Sequence, residues 1–291
     1  MDACKLDRPV CILGRALHIG THKSDIPSEE RKVLNPPPAV SSQHNPYAKI
    51  DATRIAALRN RHAWIVEPIY RASETVLKMP FFEWLAGIRT AQEFKPAAVQ
   101  LYYHSATFPK VMGLMLGHTP LSENQMMPFY AKHANGEADH HEMLMQWMIR
   151  HELLKSRDEI KEIITTLETN ACVNYAYQMA IEQDRDKWLV GLNSGIERCS
   201  NDFFKIVSPK MHSIRAGDQY FDVHVDADEH HSIMGLDCIE PQDLASFRGR
   251  QLIAKALEGI SLWAAMLNSW IGVDYIPKFD LDGKMIRHHN G

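Results

Sequence analysis

The chain has 291 residues, 45% of them hydrophobic and 23% charged, an ordinary globular mixture that excludes a disordered chain or a fibre. Lys plus Arg number 32 against 36 Asp plus Glu, for a net charge of −4, and no basic run exceeds two residues. Neither nucleic acid nor an anionic membrane is therefore expected as a partner. No apolar stretch approaches the roughly 20 residues that span a bilayer. Residues 1–17 mix Asp2, Lys5, Asp7, Arg8 and Arg15 among apolar positions, unlike a signal peptide. Five scattered cysteines (Cys4, Cys11, Cys172, Cys199, Cys238) with no CxxC pair read as reduced thiols of a cytoplasmic protein.

Residues 1–48 carry Asn35-Pro-Pro-Pro38 and a polar run ending in Pro46, a composition that reads as an irregular arm. From Asp51, a candidate cap, Ile55, Leu58, His62 and Ile65 follow helical spacing. Residues 81–85 form a short apolar patch. Residues 91–116 predict a longer helix, with Val99, Tyr102, Tyr103, Phe108, Val111, Met112 and Met115, closed by Gly117 and Pro120. Further helices are expected over residues 124–154, 158–184, 187–207 (stopping before Pro209), 219–234 and 243–270. Convincing period-2 alternation is absent. About seven helices with short connections predict one all-α domain over residues 49–275, followed by a tail over 276–291.

The most informative stretch is Tyr220-Phe-Asp-Val-His224-Val-Asp-Ala-Asp228-Glu-His-His231. At about 100° per residue, His224, Asp228 and His231 fall within a sector of about 60°, so three metal-ligating types share one helix face. Imidazole and carboxylate together suit iron or manganese. Glu137 stands three residues before His140 and four before His141, so either imidazole can share its face, and Glu-x-x-His is the ligand pair of diiron carboxylate bundles. Glu197, in an amphipathic segment between the two motifs, is the best candidate for a further carboxylate.

Glu137-x-x-His140, then Glu197, then Tyr220-Phe-x-x-His224-x-x-x-Asp228-x-x-His231 resembles, in that order, the heme-oxygenase-like diiron oxidases and oxygenases. The similarity spans residues 60 to 272, with Tyr102-Tyr103-His104 and Phe108-Pro109 resembling that family's first core helix. It implies a heme-oxygenase-like bundle and places Glu137, His140 (His141 as the alternative), Glu197, His224, Asp228 and His231 around two Fe(II) ions as metal ligands and catalytic centre. Three carboxylates against two ferrous ions leave a net positive site with open positions. The resemblance further implies dioxygen as co-substrate and an external electron donor. Its substrate is a small amino-acid-derived or other carboxylate- or amine-bearing molecule, and the outcome N-oxygenation, desaturation or C–C cleavage in natural-product biosynthesis. A homodimer is compatible with it. Tyr103, His104, Phe108 and Tyr177 are the candidate substrate contacts, with Met112, Met143 and Arg215 as further pocket candidates.

Three rival readings stand beside this one. A thiaminase-like hydrolase would use a cysteine nucleophile, Cys172 or Cys199, and leave six metal-type residues without a purpose. Haem binding needs a single axial histidine. A non-catalytic helical protein would hold a structural metal in the same residues.

Overall fold

The computed structural model describes residues 52–286, with side chains at every position except Ala52 and 226–230. The expected arm over residues 1–48, the Asp51 cap, Cys4 and Cys11 lie outside the described residues. The described chain is all-α, in the order α1 (Ala52–Arg61), α2 (Ala63–Val76), α3 (Pro80–Gly87), α4 (Lys95–His118), α5 (Met127–Gly136), α6 (His140–Arg150), α7 (Leu167–Glu182), α8 (Arg185–Trp188), α9 (Arg198–Ser213), α10 (Gln219–Ile233) and α11 (Phe247–Ser269). A π-helical segment, Leu189–Glu197, joins α8 to α9 without a break. No strand forms among the described residues beyond an isolated bridge between Phe279 and Met285. None of the described helices is long and apolar enough to cross a membrane.

Burial decides which face of each helix turns inward. On α4 the buried positions Ala97, Ala98, Leu101, His104, Phe108, Val111, Met112 and Met115 follow the three- and four-residue spacing of one stripe. That stripe packs on α5, α6 and α7. At the other side of the core, α11 starts at a Ser246 cap whose side chain accepts from Gly249 N at 2.9 Å, and its stripe of Leu252, Ile253, Ala256, Ile260 and Trp263 lies against α2, α7 and the π segment. Gly195 permits the last contact, because a Cβ there would stand 3.0 Å from the Ala256 carbonyl oxygen. Helix α10 runs back along α9. Between the layers, Trp147, Phe221 and Phe94 meet edge-on at ring separations of 5.1–6.3 Å.

Four predicted boundaries differ most from the structure. The first helix is two, α1 and α2, divided at His62. The helix expected over residues 124–154 is broken after Gly136: Glu137 to Asp139 form a turn, with Asp139 at φ −116° and ψ 0°, and α6 begins at His140. The helix expected from Asp158 starts only at Leu167, because Ile163 and Thr166 are extended and the Thr166 side chain caps Thr169 N. Pro209 does not stop its helix, and α9 continues to Ser213. One missing donor is tolerated there by a helix buried along its whole inner face.

The tail after α11 turns back at Asp280–Lys284 and docks on α2, where Arg71 donates to the Asp282 carbonyl. Gly283 has φ +74°, and a Cβ there would stand 2.0 Å from the Pro68 carbonyl oxygen. Gly272 has φ +75° but open space around it. Gly272→Ala should therefore cost about 1–2 kcal/mol from backbone strain alone, whereas Gly283→Ala should cost more because the turn must also leave α2. Urea denaturation of both variants checks this, and equal losses would refute the docking.

Candidate metal centre

Four elements converge on one buried volume. Near the end of α5, His133 points inward and is 3% exposed. Because α5 stops at Gly136, Glu137 sits in the turn and His140 opens α6, so the pair approaches across a turn between helices instead of along one helix face. The π segment delivers Glu197 as its last residue, 3% exposed. A π turn shifts the phase of the helix beyond it, a device recurrent at functional sites. From α10 come His224 and His231, seven residues and two turns apart.

These side chains form two groups of three. His133, Glu197 and His231 make one, and Glu137, His140 and His224 the other, with the candidate ligand atoms of each group within 4.8 Å of one another. In the first, Glu197 Oε1 lies 3.1 Å from His133 Nε2, and the His133 and His231 rings are 4.2 Å apart. In the second, Glu137 Oε2 lies 2.8 Å from His140 Nδ1, and the His140 and His224 rings are 4.3 Å apart. His231 Nδ1 reaches toward both carboxylates, 3.5 Å from Glu137 Oε1 and 3.8 Å from Glu197 Oε2. His224 donates its Nδ1–H to the Tyr220 carbonyl, which leaves the Nε2 lone pair free to bind a metal, a usual way of orienting a metal-binding imidazole.

The protonation pattern arises from burial and from these contacts. Burial pushes the carboxyls of Glu137 and Glu197 upward, but hydrogen bonds and the charges of the facing histidines outweigh it and hold both below the ordinary range. His140 and His231 are disfavoured as cations by burial, yet Glu137 and Glu197 respectively raise them above the ordinary histidine value. His224 and His104 are lowered to about 4 by burial, and His133 is lowered by burial and by the His231 charge.

The residues present fit a metal pair on two counts. The donor set, four imidazoles and two carboxylates, is one that iron accepts. Glu137 Oε1 is buried without a hydrogen-bond partner, an acceptor that a cation would satisfy.

Among the residues expected from sequence, Glu137, His140, Glu197, His224 and His231 are brought together. Asp228 lies on α10, and its side chain is outside the described residues. His141 turns its ring edge to Tyr102 instead, at 6.0 Å. His133 is not among the residues expected from sequence, although its i, i+4 spacing to Glu137 is a signal.

A partly enclosed cavity opens beside Glu137, Glu197 and His224, walled by Leu101, Phe108, Ile196, Phe204 and Trp263, with His104, Ser105 and Ser200 as its other polar members. His104 and Phe108 line it. Tyr103 and Tyr177 do not. Tyr103 is one position beyond the inward stripe of α4 and is 36% exposed, and Tyr177 is half-buried on α7. Met112 and Met143 pack in or against the core, and Arg215 is exposed in the turn between α9 and α10. No Lys or Arg lines the cavity among the described residues.

The metal-free protein should be most stable near pH 6.5. Below that value the unfolded chain protonates His104 and His224 while the folded chain resists until about pH 4, so stability falls as pH drops through this window. Each such histidine should remove about 1.4 kcal/mol per pH unit. Above pH 6.5 the opposite group acts: the raised histidines His140 and His231 contribute stability that is lost as pH rises through their folded values. Thermal melts from pH 4.5 to 8.5 in chelator check this, and a monotonic profile would contradict it.

Comparison with known proteins agrees with this architecture. The profile of a family described as iron-containing redox enzymes matches residues 95–264, more than half of the chain and the segment holding every residue of the two groups. No curated protein matches the sequence. A crystal structure of a TenA homologue from Pseudomonas syringae pv. tomato is similar at TM-score 0.62 and 12% identity, over 75% of this chain and 97% of that one. A domain of unknown function with a heme-oxygenase-like fold, from Shewanella denitrificans, is similar at TM-score 0.55 and 15% identity, over 70% and 88%. A TenA homologue from Pyrococcus furiosus gives TM-score 0.51 and 14% identity, over 69% and 97%. At such identities the structural likeness establishes the fold, and the sequence profile establishes the kinship: the chain is a heme-oxygenase-like helical protein and belongs to the family of iron-containing redox enzymes.

Proposed function

We propose that the chain is a non-haem diiron oxidase or oxygenase that uses dioxygen to oxidise a small molecule. The observation that carries this reading is the pairing of His133–Glu197–His231 with Glu137–His140–His224, two buried three-residue groups sharing His231 between their carboxylates. Asp228, on the same helix as His224 and His231, supplies the third carboxylate of the proposed set. Two ferrous ions held by these residues would supply the electrons for reducing dioxygen, with an external reductant as their source.

The chain's own residues prepare this chemistry. Glu137 and Glu197, ionised and buried, attract the cations and offset their charge. His224 is held in one tautomer by the Tyr220 carbonyl, so its ring is oriented before anything binds. Leu101, Phe108, Ile196, Phe204 and Trp263 exclude water from the open side of the site. His104 remains neutral between Phe108, stacked at 5.3 Å, and Trp263, edge-on at 5.2 Å. Beyond Glu137, Glu197 and His224, a substrate in this cavity meets the hydroxyls of Ser105 and Ser200 and the neutral His104 imidazole, and no guanidinium or ammonium group among the described residues. The cavity therefore takes an amino-acid-derived or other carboxylate- or amine-bearing molecule against largely apolar walls, for N-oxygenation, desaturation or C–C cleavage.

The thiaminase-like alternative lacks support from the thiols. Cys172 and Cys199 are buried and pushed up to about 12, Cys238 to about 11, and none lines the cavity. A thiolate is scarce at neutral pH under those conditions.

Anaerobic ferrous titration of metal-free protein should reach two irons per chain and give a transient visible band on mixing with oxygen. His133→Ala and His231→Ala should each lower the stoichiometry by about one iron and reduce oxygen consumption at least 100-fold with helical circular dichroism retained, while Cys172→Ala stays within a factor of two. Normal turnover by both histidine variants, or a dead Cys172→Ala protein that still binds iron, would sink the diiron reading.

A further inference from the structure

Helix α10 carries two members of the metal groups, yet its hold on the rest of the fold does not come only from their side chains. Asn193 and Asn201 stand four residues before and four residues after Glu197, and both are 0% exposed. Each directs its amide nitrogen at the backbone of α10. Asn201 Nδ2 donates to the Val225 carbonyl at 2.8 Å, and Asn193 Nδ2 donates to the His231 carbonyl at 3.4 Å. A helical carbonyl has a second lone pair, so such bonds form without dissolving the helix. The pairing of 193 with 231 and of 201 with 225 also fits the antiparallel course of the two helices. Ser208, which donates to Asp222 at 2.6 Å, continues the same register toward the start of α10.

Both amide oxygens are buried without a hydrogen-bond partner. A leucine of similar volume would fill either site without stranding an acceptor, so packing alone does not account for asparagine here. What asparagine offers is the donor. The two donors flank the stretch that holds Asp228 and ends at His231, and they leave from the face that presents Glu197.

We propose that Asn193 and Asn201 are positioning residues that clamp α10 by its backbone to the Glu197 helix, setting the separation between Glu197 and the α10 histidines before metal arrives. The clamp concerns the metal site proposed above and rests on that reading for its purpose, but its effect on α10 is measurable without metal.

The test uses Asn193→Leu and Asn201→Leu, with Asn201→Ser as a shorter variant should the leucine proteins fail to fold. Asn268→Leu is the control, since Asn268 is equally buried on α11 but its side chain bonds to Phe81 N and Met79 Sδ, away from α10. In metal-free protein, hydrogen exchange of the amides over residues 224–233 should accelerate at least tenfold in the clamp variants, with α4 and α11 unchanged. Cobalt(II), followed by its visible absorption, should bind at least tenfold more weakly. The control should loosen its own surroundings and leave both readings for α10 at wild-type values. Exchange and cobalt affinity that match wild type in the clamp variants, or that change equally in the control, would overturn the clamp. If wild-type protein takes up no cobalt, the metal reading fails and the exchange comparison alone decides on the clamp.

Discussion

Two carboxylates buried in one small volume set the terms for everything around them. Burial disfavours ionisation of both Glu137 and Glu197, and at Glu137 the charge of Glu197 adds to that penalty. Left alone, they would take up protons. Instead, four imidazoles surround them, and the same arrangement that relieves the charge in the free protein is a set of donors for cations. Charge compensation also explains why the centre is assembled from separate elements: one helix face cannot place two acids and four bases around a common volume.

The rest of the fold can be understood as support for that volume. α4 and α11 supply large apolar side chains that close its open side, and α11 gets close enough to do so because Gly195 lets the π segment approach Ala256. The break after Gly136 turns what would have been one long helix into a corner, and the corner carries Glu137. Farther out, the Arg198–Asp202 pair, bonded in turn to Ser73, ties the Glu197 helix to α2. Removing one member of such a buried pair costs more than the pair contributes, so it fixes geometry more than it adds stability.

Much of this is legible in the amino-acid sequence, and the limits have physical causes. The all-α class comes from periodicity, because helices that bury one stripe advertise it. Spacing within a single helix is equally legible, which is why His224 and His231 stand out together. Glu137 and His140 pair correctly for the wrong reason: their spacing suits a helix, but the chain bends between them, and proximity in sequence does the rest. His133 stands a helical turn before Glu137, but that spacing does not name its partner across the site, Glu197, which is 64 residues away and joined to it by tertiary packing. Tyr103 is expected inward because a neighbouring His104 is; a step of one residue on a helix is a step to a different face. Pro209 inside α9 shows a local rule yielding to the burial of a whole helix.

The π segment has a consequence for how this protein can vary. Each of its turns holds more residues than an α turn, so the same residues wound as an α-helix would accumulate more rotation and turn Glu197 to another face. Glu197 would then leave the centre while every residue of the centre remained in the sequence. The winding of this stretch is therefore as much a part of the site as its composition. A change of backbone geometry in the loop between Leu236 and Ser246 alters a connection; a change of winding here decides which way a helix faces.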